Sequence, residues 1–243
     1  MTVYFPRALL RERSHSWNLV ATVMNAGQSG QSWSSVVRSD GGGVWSCVMN
    51  DVQLSGLCGG SESNKQRQRI ATLLWRAVRQ LCDGGANNIV VPRHDDLFRP
   101  WPAGVSHAPS SPLPHSDTTF FADGTGYDAA VINVVAAASA GLRATSLQLQ
   151  LRLCGTLVGG ESFSILHPDF GWRLYEIATV QYVDASHVTI SFNPPLRAAV
   201  AIDTPIEFDL PRCTMRLMQG GSMNLSVVPW TFNQASVDFI EAI

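Results

Sequence analysis

The 243-residue chain is 45% apolar with a formal net charge of −2, enough for a core in one large or two small domains and no excess of positive charge for neutralising phosphates. Charged residues make up 15%, below the ~25% usual for soluble domains. Lys65 is the only lysine among 17 basic residues; arginine is favoured at buried subunit contacts because its planar fork is weakly hydrated and stacks on rings. Nucleic acid is therefore not an expected partner. The opening "MTVYFPRALLRERSHSW" interrupts its apolar residues with Arg7, Arg11 and Arg13, so neither export nor a membrane span is expected there.

Ser16 to Val23 reads as a strand, followed by the glycine and serine turn "AGQSGQSWSS" before Val36 and Val37, and the "DGGG" glycines from Asp40 make a second turn. "VWSCVMNDVQLSG" then predicts a strand that is apolar on both faces at its start and wetter later. Ser63 with Gln66 makes a capping-box pattern before "KQRQRIATLLWRAVRQLCDGG". In that stretch Ile70, Leu73, Leu74, Ala77, Val78 and Leu81 fall at helical spacing, and Gly84 with Gly85 supplies the stop. Trp75 is placed near the edge of the apolar stripe, and Arg67, Arg76 and Arg79 are read as a solvated or subunit-facing row opposite it.

"NNIVVP" returns as a strand, and the proline- and serine-rich segment 93–118 reads as a long ordered loop or arm. "GYDAAVINVVAAASAG" resumes a strand, and "LQLQLRL" at 147–153 alternates so strictly that one face must be buried. Short strands follow at "ESFSIL", "WRLYEIATVQYV", "HVTISF", "PIEFDL" and "TMRLM", split by Gly, Pro, Asp and Asn. That spacing predicts a small closed or half-closed barrel over residues 144–218. "QGGS" then releases the chain into a final strand, "MNLSVVPWTF", and a mixed tail. In "FNPPLR", Pro194 and Pro195 are expected at a turn or sheet edge because proline removes a ladder donor. Leu196 would cover the barrel end, and Arg197 would project towards Asp203, Asp209 or a neighbouring chain.

Catalytic, cofactor and metal sites are all read as none. The cysteines Cys47, Cys58, Cys82, Cys154 and Cys213 are an odd number without CxxC spacing, as expected of reduced, mostly buried thiols. His15, His94, His107, His115, His167 and His187 lack zinc-motif spacing. "GQSGQS" is not a nucleophile elbow, "GTLVGGES" lacks the lysine of a phosphate loop, and "DGTGYD" lacks the bidentate glutamate of a calcium loop. Trp101 and Trp172, in predicted loops, are the candidates for stacking on a ligand or partner.

"ESFSILHPDFGWRLYEIATV" followed by "VTISFNPPLRAAVAIDTPIEFDLPRCTMRLM" resembles the inserted barrel module of distal tail proteins of long-tailed, non-contractile bacteriophages and related gene transfer particles. The features carrying it are Phe163 and Ser164 on the entry strand, the Tyr175 strand, the turn from Phe192 to Arg197 and the closing Pro211 to Leu217. "SDGGGVWSCVMNDVQLSG" and the helix after it are similar to the ring-forming domain of such proteins. The resemblance implies a mainly β fold with one principal helix. A ring-forming, β-sandwich-like domain (1–143, with 219–243 returning to it) would carry an inserted small β-barrel of oligosaccharide-binding type (144–218). It also implies a non-enzymatic virion protein, made in the host cytoplasm. A homo-oligomeric, hexameric ring would join the tail tube protein to the baseplate hub protein, with the tape measure protein as a further neighbour, and would offer docking sites to adsorption proteins. The competing reading is a carbohydrate-binding module contacting host cell-surface glycan.

Overall fold

The computed structural model describes residues 3–7, 9–20, 42–54, 62–103, 131–218, 223–227 and 234–243, with the backbone of 23–28 and 34–38. The fold is mainly β, and its strands run in chain order. They are β1 (Val3–Tyr4), β2 (Ser14–Val20), β3 (Val23–Gln28), β4 (Ser34–Arg38) and β5 (Val44–Gln53), then helix α1 (Glu62–Cys82) and β6 (Ile89–Pro92). The chain continues through β7 (Asn133–Ala136), β8 (Ser146–Leu153), β9 (Ser162–His167), β10 (Gly171–Tyr182), β11 (His187–Asn193) and β12 (Pro205–Ile206). It ends in β13 (Arg212–Leu217), β14 (Asn224–Ser226) and β15 (Gln234–Glu241). "DGTGYD", Cys58, His107, His115 and the arm beyond residue 103 lie outside the described residues, as do most of "AGQSGQSWSS" and the side chain of Ser63.

Two compact units share these elements. The first comprises Met1–Arg93, Pro168–Arg173 and Arg212–Ile243. Its sheet has the order β1-β6-β13-β15-β5-β2, with β14 also paired to β15. "IVVP" is apolar throughout and β6 is buried on both faces at Ile89, Val90 and Val91, as an interior strand requires. In β5, Trp45, Ser46 and Cys47 are all buried, and burial alternates beyond them, matching its expected change of character. Asp51 takes φ 51° where Met49 faces Val237 and Val52 faces Ala235. Two residues there oppose one, a bulge at a conformation that aspartate tolerates better than most.

Residues 212–217, assigned by sequence to the barrel, instead pair β6 and β15 in this first sheet. The tail read as mixed forms β15, the strand that joins β5 to β13. Helix α1 is present and ends at a 3-10 turn, Asp83–Gly85, with positive φ at both glycines. At Gly85 an added Cβ would also press on the Leu217 carbonyl, so the stop is enforced by conformation and by space. The buried edge of α1 is not the expected one. It consists of Ala71, Trp75, Val78 and Cys82, with Trp75 fully buried, while Ile70, Leu73 and Leu81 are exposed.

The second unit comprises His94–His167 and Leu174–Pro211. Its sheet has the order β12-β7-β8-β11-β10-β9, so β7 belongs here and not to the first unit as the sequence boundary at 143 had it. Ser164 and Glu207 exchange two backbone hydrogen bonds of 2.9 Å, joining β9 to the end of β12 and bringing the sheet nearly to closure. Six strands take part, one more than in an oligosaccharide-binding fold.

Alternate residues of each strand face inward, and aromatic rings fill the interior. Phe163 lies 5.4 Å from Tyr175, 5.5 Å from Phe192 and 5.6 Å from Phe208, centroid to centroid, and all four side chains are fully buried. The strict alternation of β8 holds through Leu149 and then relaxes, leaving Leu153 exposed. There the register against β7 shifts between Asn133 and Val134.

Candidate interaction surfaces

The turn from Phe192 to Arg197 closes the barrel end as its sequence suggested. Leu196 is buried in the barrel core, its N–H donates to the Ala144 carbonyl at 2.9 Å, and its own carbonyl accepts from the Arg143 N–H at 2.9 Å. The Arg197 N–H donates to the Tyr175 hydroxyl oxygen at 3.2 Å. That hydroxyl also lies 2.9 Å from His167 Nε2, so the phenol accepts on one side and can donate on the other. Asp203, one expected acid for Arg197, is engaged by Arg152 at 3.0 Å. Asp209, the other, accepts the Ile132 N–H at 3.1 Å, and burial pushes its carboxyl up from the usual 3.8.

Neither tryptophan candidate is an open platform. Trp101 packs against the barrel core with the Arg99 guanidinium 5.7 Å from its ring centroid, and its backbone passes so close to residue 155 that only glycine fits there. The Trp172 ring, in the first unit, carries the Arg212 guanidinium at 4.4 Å. Both arginines occupy an aromatic face that a sugar would stack upon.

The titratable clusters hold structure. Glu12 receives the Arg7 Nε–H at 2.6 and 2.8 Å and lies 3.0 Å from His15 Nδ1. Burial alone would raise its carboxyl, but hydrogen bonds from His15 and Arg7, with the Arg7 charge, bring it down to about 2. Asp184, Ser186 and His187 contain the side chains of a hydrolytic triad. Yet His187 turns the same Nδ1 towards Ser186 Oγ at 3.2 Å and towards both Asp184 oxygens at 3.1 and 3.0 Å. A relay needs opposite ring nitrogens, so this is an exposed turn. Its carboxylate is drawn down to about 2, chiefly by the backbone N–H and hydroxyl of Ser186, with His187 adding to them. Glu161 accepts the N–H groups of Val158 and Gly159, both at 2.7 Å, and fixes the "GTLVGGES" turn. Among the described residues no group of three His, Cys, Asp or Glu side chains could hold a metal ion, and no helix is long and apolar enough to cross a membrane.

Arg67, Arg76 and Arg79 are all exposed, but at about 100° per residue they do not form one row. Arg76 and Arg79 fall with Lys65 and Arg69 in a basic arc of about 80°, whereas Arg67 lies across the apolar side. The apolar residues from Leu73 round to Trp75 span about 200° of the helix, twice what one buried face needs. Its buried part is the segment from Val78 to Trp75, and Ile70, Leu73 and Leu81 are exposed by 50%, 49% and 51%. The width of that arc was the signal in the sequence for a second contact face.

A scan against protein-family models and a search of curated proteins both return no match to this chain.

Proposed function

We propose that this chain is a structural protein of a phage tail tip, a distal tail protein whose ring joins the tail tube to the baseplate hub and gives adsorption proteins a place to dock. The observation carrying this reading is the barrel interior. It is filled by Phe163, Tyr175, Phe192 and Phe208, so a barrel of this size works through its outer surface. Of the features that carry the resemblance, Phe163, Ser164, Tyr175 and the turn from Phe192 to Arg197 fall on the barrel, whereas Arg212–Leu217 falls in the first sheet. Glu12 with Arg7 and His15, and the exposed Asp184 with Ser186 and His187, hold local structure. The ring, the virion location and the tail tube, hub and tape measure neighbours rest on the resemblance.

Native mass spectrometry of the purified chain tests the reading. A closed oligomer of defined stoichiometry, six copies for the family's ring, is expected, together with recovery of the protein from purified particles. A monomer at all concentrations, absent from particles, would overturn it. Saturable binding of host glycan by such a monomer would favour the carbohydrate-binding alternative.

A further inference from the structure

We infer that the outer face of α1 is one half of the contact that closes the ring, and that it docks on the barrel unit of a second copy of this chain. The occupant rests on the ring reading above; the two surfaces rest on the structure. The first surface is the exposed stripe Ile70, Leu73 and Leu81, beside the basic arc of Lys65, Arg69, Arg76 and Arg79. Three large aliphatic side chains half in water along one helix leave apolar area for a partner to cover.

Charge identifies the partner. The first unit holds 13 basic against 8 acidic residues, net +5, and the second holds 4 against 11, net −7, which together give the chain's −2. A near-neutral chain divided this way is complementary to copies of itself, as a heterologous, ring-closing contact requires. The barrel unit also presents a surface of matching character. The end of β8 lies beside the turn at 183–186, since the Leu151 N–H donates to the Ser186 carbonyl at 2.7 Å. It also lies beside the turn at 201–204, since Arg152 reaches Asp203 at 3.0 Å. These segments carry exposed Leu153, Val183 (69% exposed) and Ile202 (61% exposed), which follow or precede Arg152, Asp184 and Asp203 in the chain, Arg152 and Asp203 being paired with one another. Apolar side chains with a net acidic border would face apolar side chains bordered by bases. A membrane surface would also attract a basic amphipathic helix, but it would leave the acidic flank of the barrel unmatched.

The test uses the full chain. Leu73→benzoylphenylalanine is photolysed in a mixture of isotope-labelled and unlabelled copies, and the crosslinked peptides are sequenced. A crosslink between copies, from position 73 to peptides containing 151–153, 183–186 or 201–204, is expected. A crosslink within one copy, or to another surface, overturns the inference. In parallel, Leu73→Glu and Arg76→Glu/Arg79→Glu should each raise the concentration at which the oligomer half-assembles by about tenfold or more, the scale for losing an interface anchor, with unchanged circular dichroism. A ring that forms normally in both variants overturns the inference while the ring reading stands. A wild-type chain that never assembles overturns the ring reading and this contact with it. Binding of the wild type to phosphatidylserine vesicles, lost in Leu73→Glu while the ring persists, would assign the helix face to a lipid surface instead.

Discussion

Arg173 donates to Glu241 Oε1 at 3.2 Å with both side chains almost wholly shielded from water, and the second carboxylate oxygen of Glu241 accepts the Trp45 N–H at 3.1 Å. Removing one member of such a pair leaves an unmatched charge in a low-dielectric interior. Glu241→Gln and Arg173→Met should each destabilise the first unit by about 3 kcal/mol or more. The double variant should lose less than the two single losses together. Urea unfolding followed by the fluorescence of Trp45 and Trp75 measures this, and additive losses would show that the two groups act separately.

Phe163 touches three other rings at the centre of the barrel. Phe163→Ala should cost about 3–5 kcal/mol, because the cavity cannot collapse between fixed strands. Hydrogen exchange should show the loss across β8, β10 and β11, and unchanged protection there would contradict the packing.

Tyr175→Phe keeps the ring and deletes the hydroxyl shared by the Arg197 N–H and His167. The expected loss is about 1–2 kcal/mol, from a donor left without its acceptor. The Arg197 amide should exchange faster, while protection within β8 stays as in the wild type.

Glu12 links stability to pH. Its folded carboxyl titrates at about 2 against an ordinary 4.5, so the folded state holds fewer protons than the unfolded state between these values. Its stabilisation is fully present above about pH 4.5 and is lost as pH falls towards 2. The Glu12→Gln chain should be less stable at neutral pH and lose less stability on acidification. Parallel acid profiles for the two chains would rule out this linkage.

Burial raises the thiols of Cys82 to about 11 and Cys154 to about 12, and Cys47 well above its usual 9.0. At pH 7 these side chains are protonated and poorly nucleophilic. Iodoacetamide should modify the three rapidly only after urea is added, which peptide mapping by mass spectrometry would record.

Several of these features were legible in the residues and others were not, for physical reasons. Turn residues and alternation announced β8, β10 and β11, and the paired glycines announced the end of α1. Periodicity could place an apolar arc on that helix, but only the sheet beneath decides which part is covered, and Trp75 was chosen over Leu73 and Ile70. In β13, "TMRLM" reads correctly as a strand, which begins two residues earlier at Arg212; its choice of sheet depends on partners such as Val91 and Phe239, far away in sequence. The tail was hardest to read because Glu241, a charged residue, occupies a buried position, and its partner Arg173 stands 68 residues earlier. Trp101 lies outside any strand as expected, whereas Trp172, expected in a loop, lies in β10, and Arg99 and Arg212 already cover a face of each.

The return of Pro168–Arg173 to the first unit limits how the barrel could be exchanged between related genes. A crossover that swapped residues 94–211 as one cassette would import a foreign residue at position 173 beneath an inherited Glu241. It would also import whatever residue stands at position 171, where Gly171 takes φ 69° and an added Cβ would come within 2.8 Å of the Thr214 hydroxyl. Recombinants that keep folding should be those in which this short hexapeptide is inherited together with the final strand.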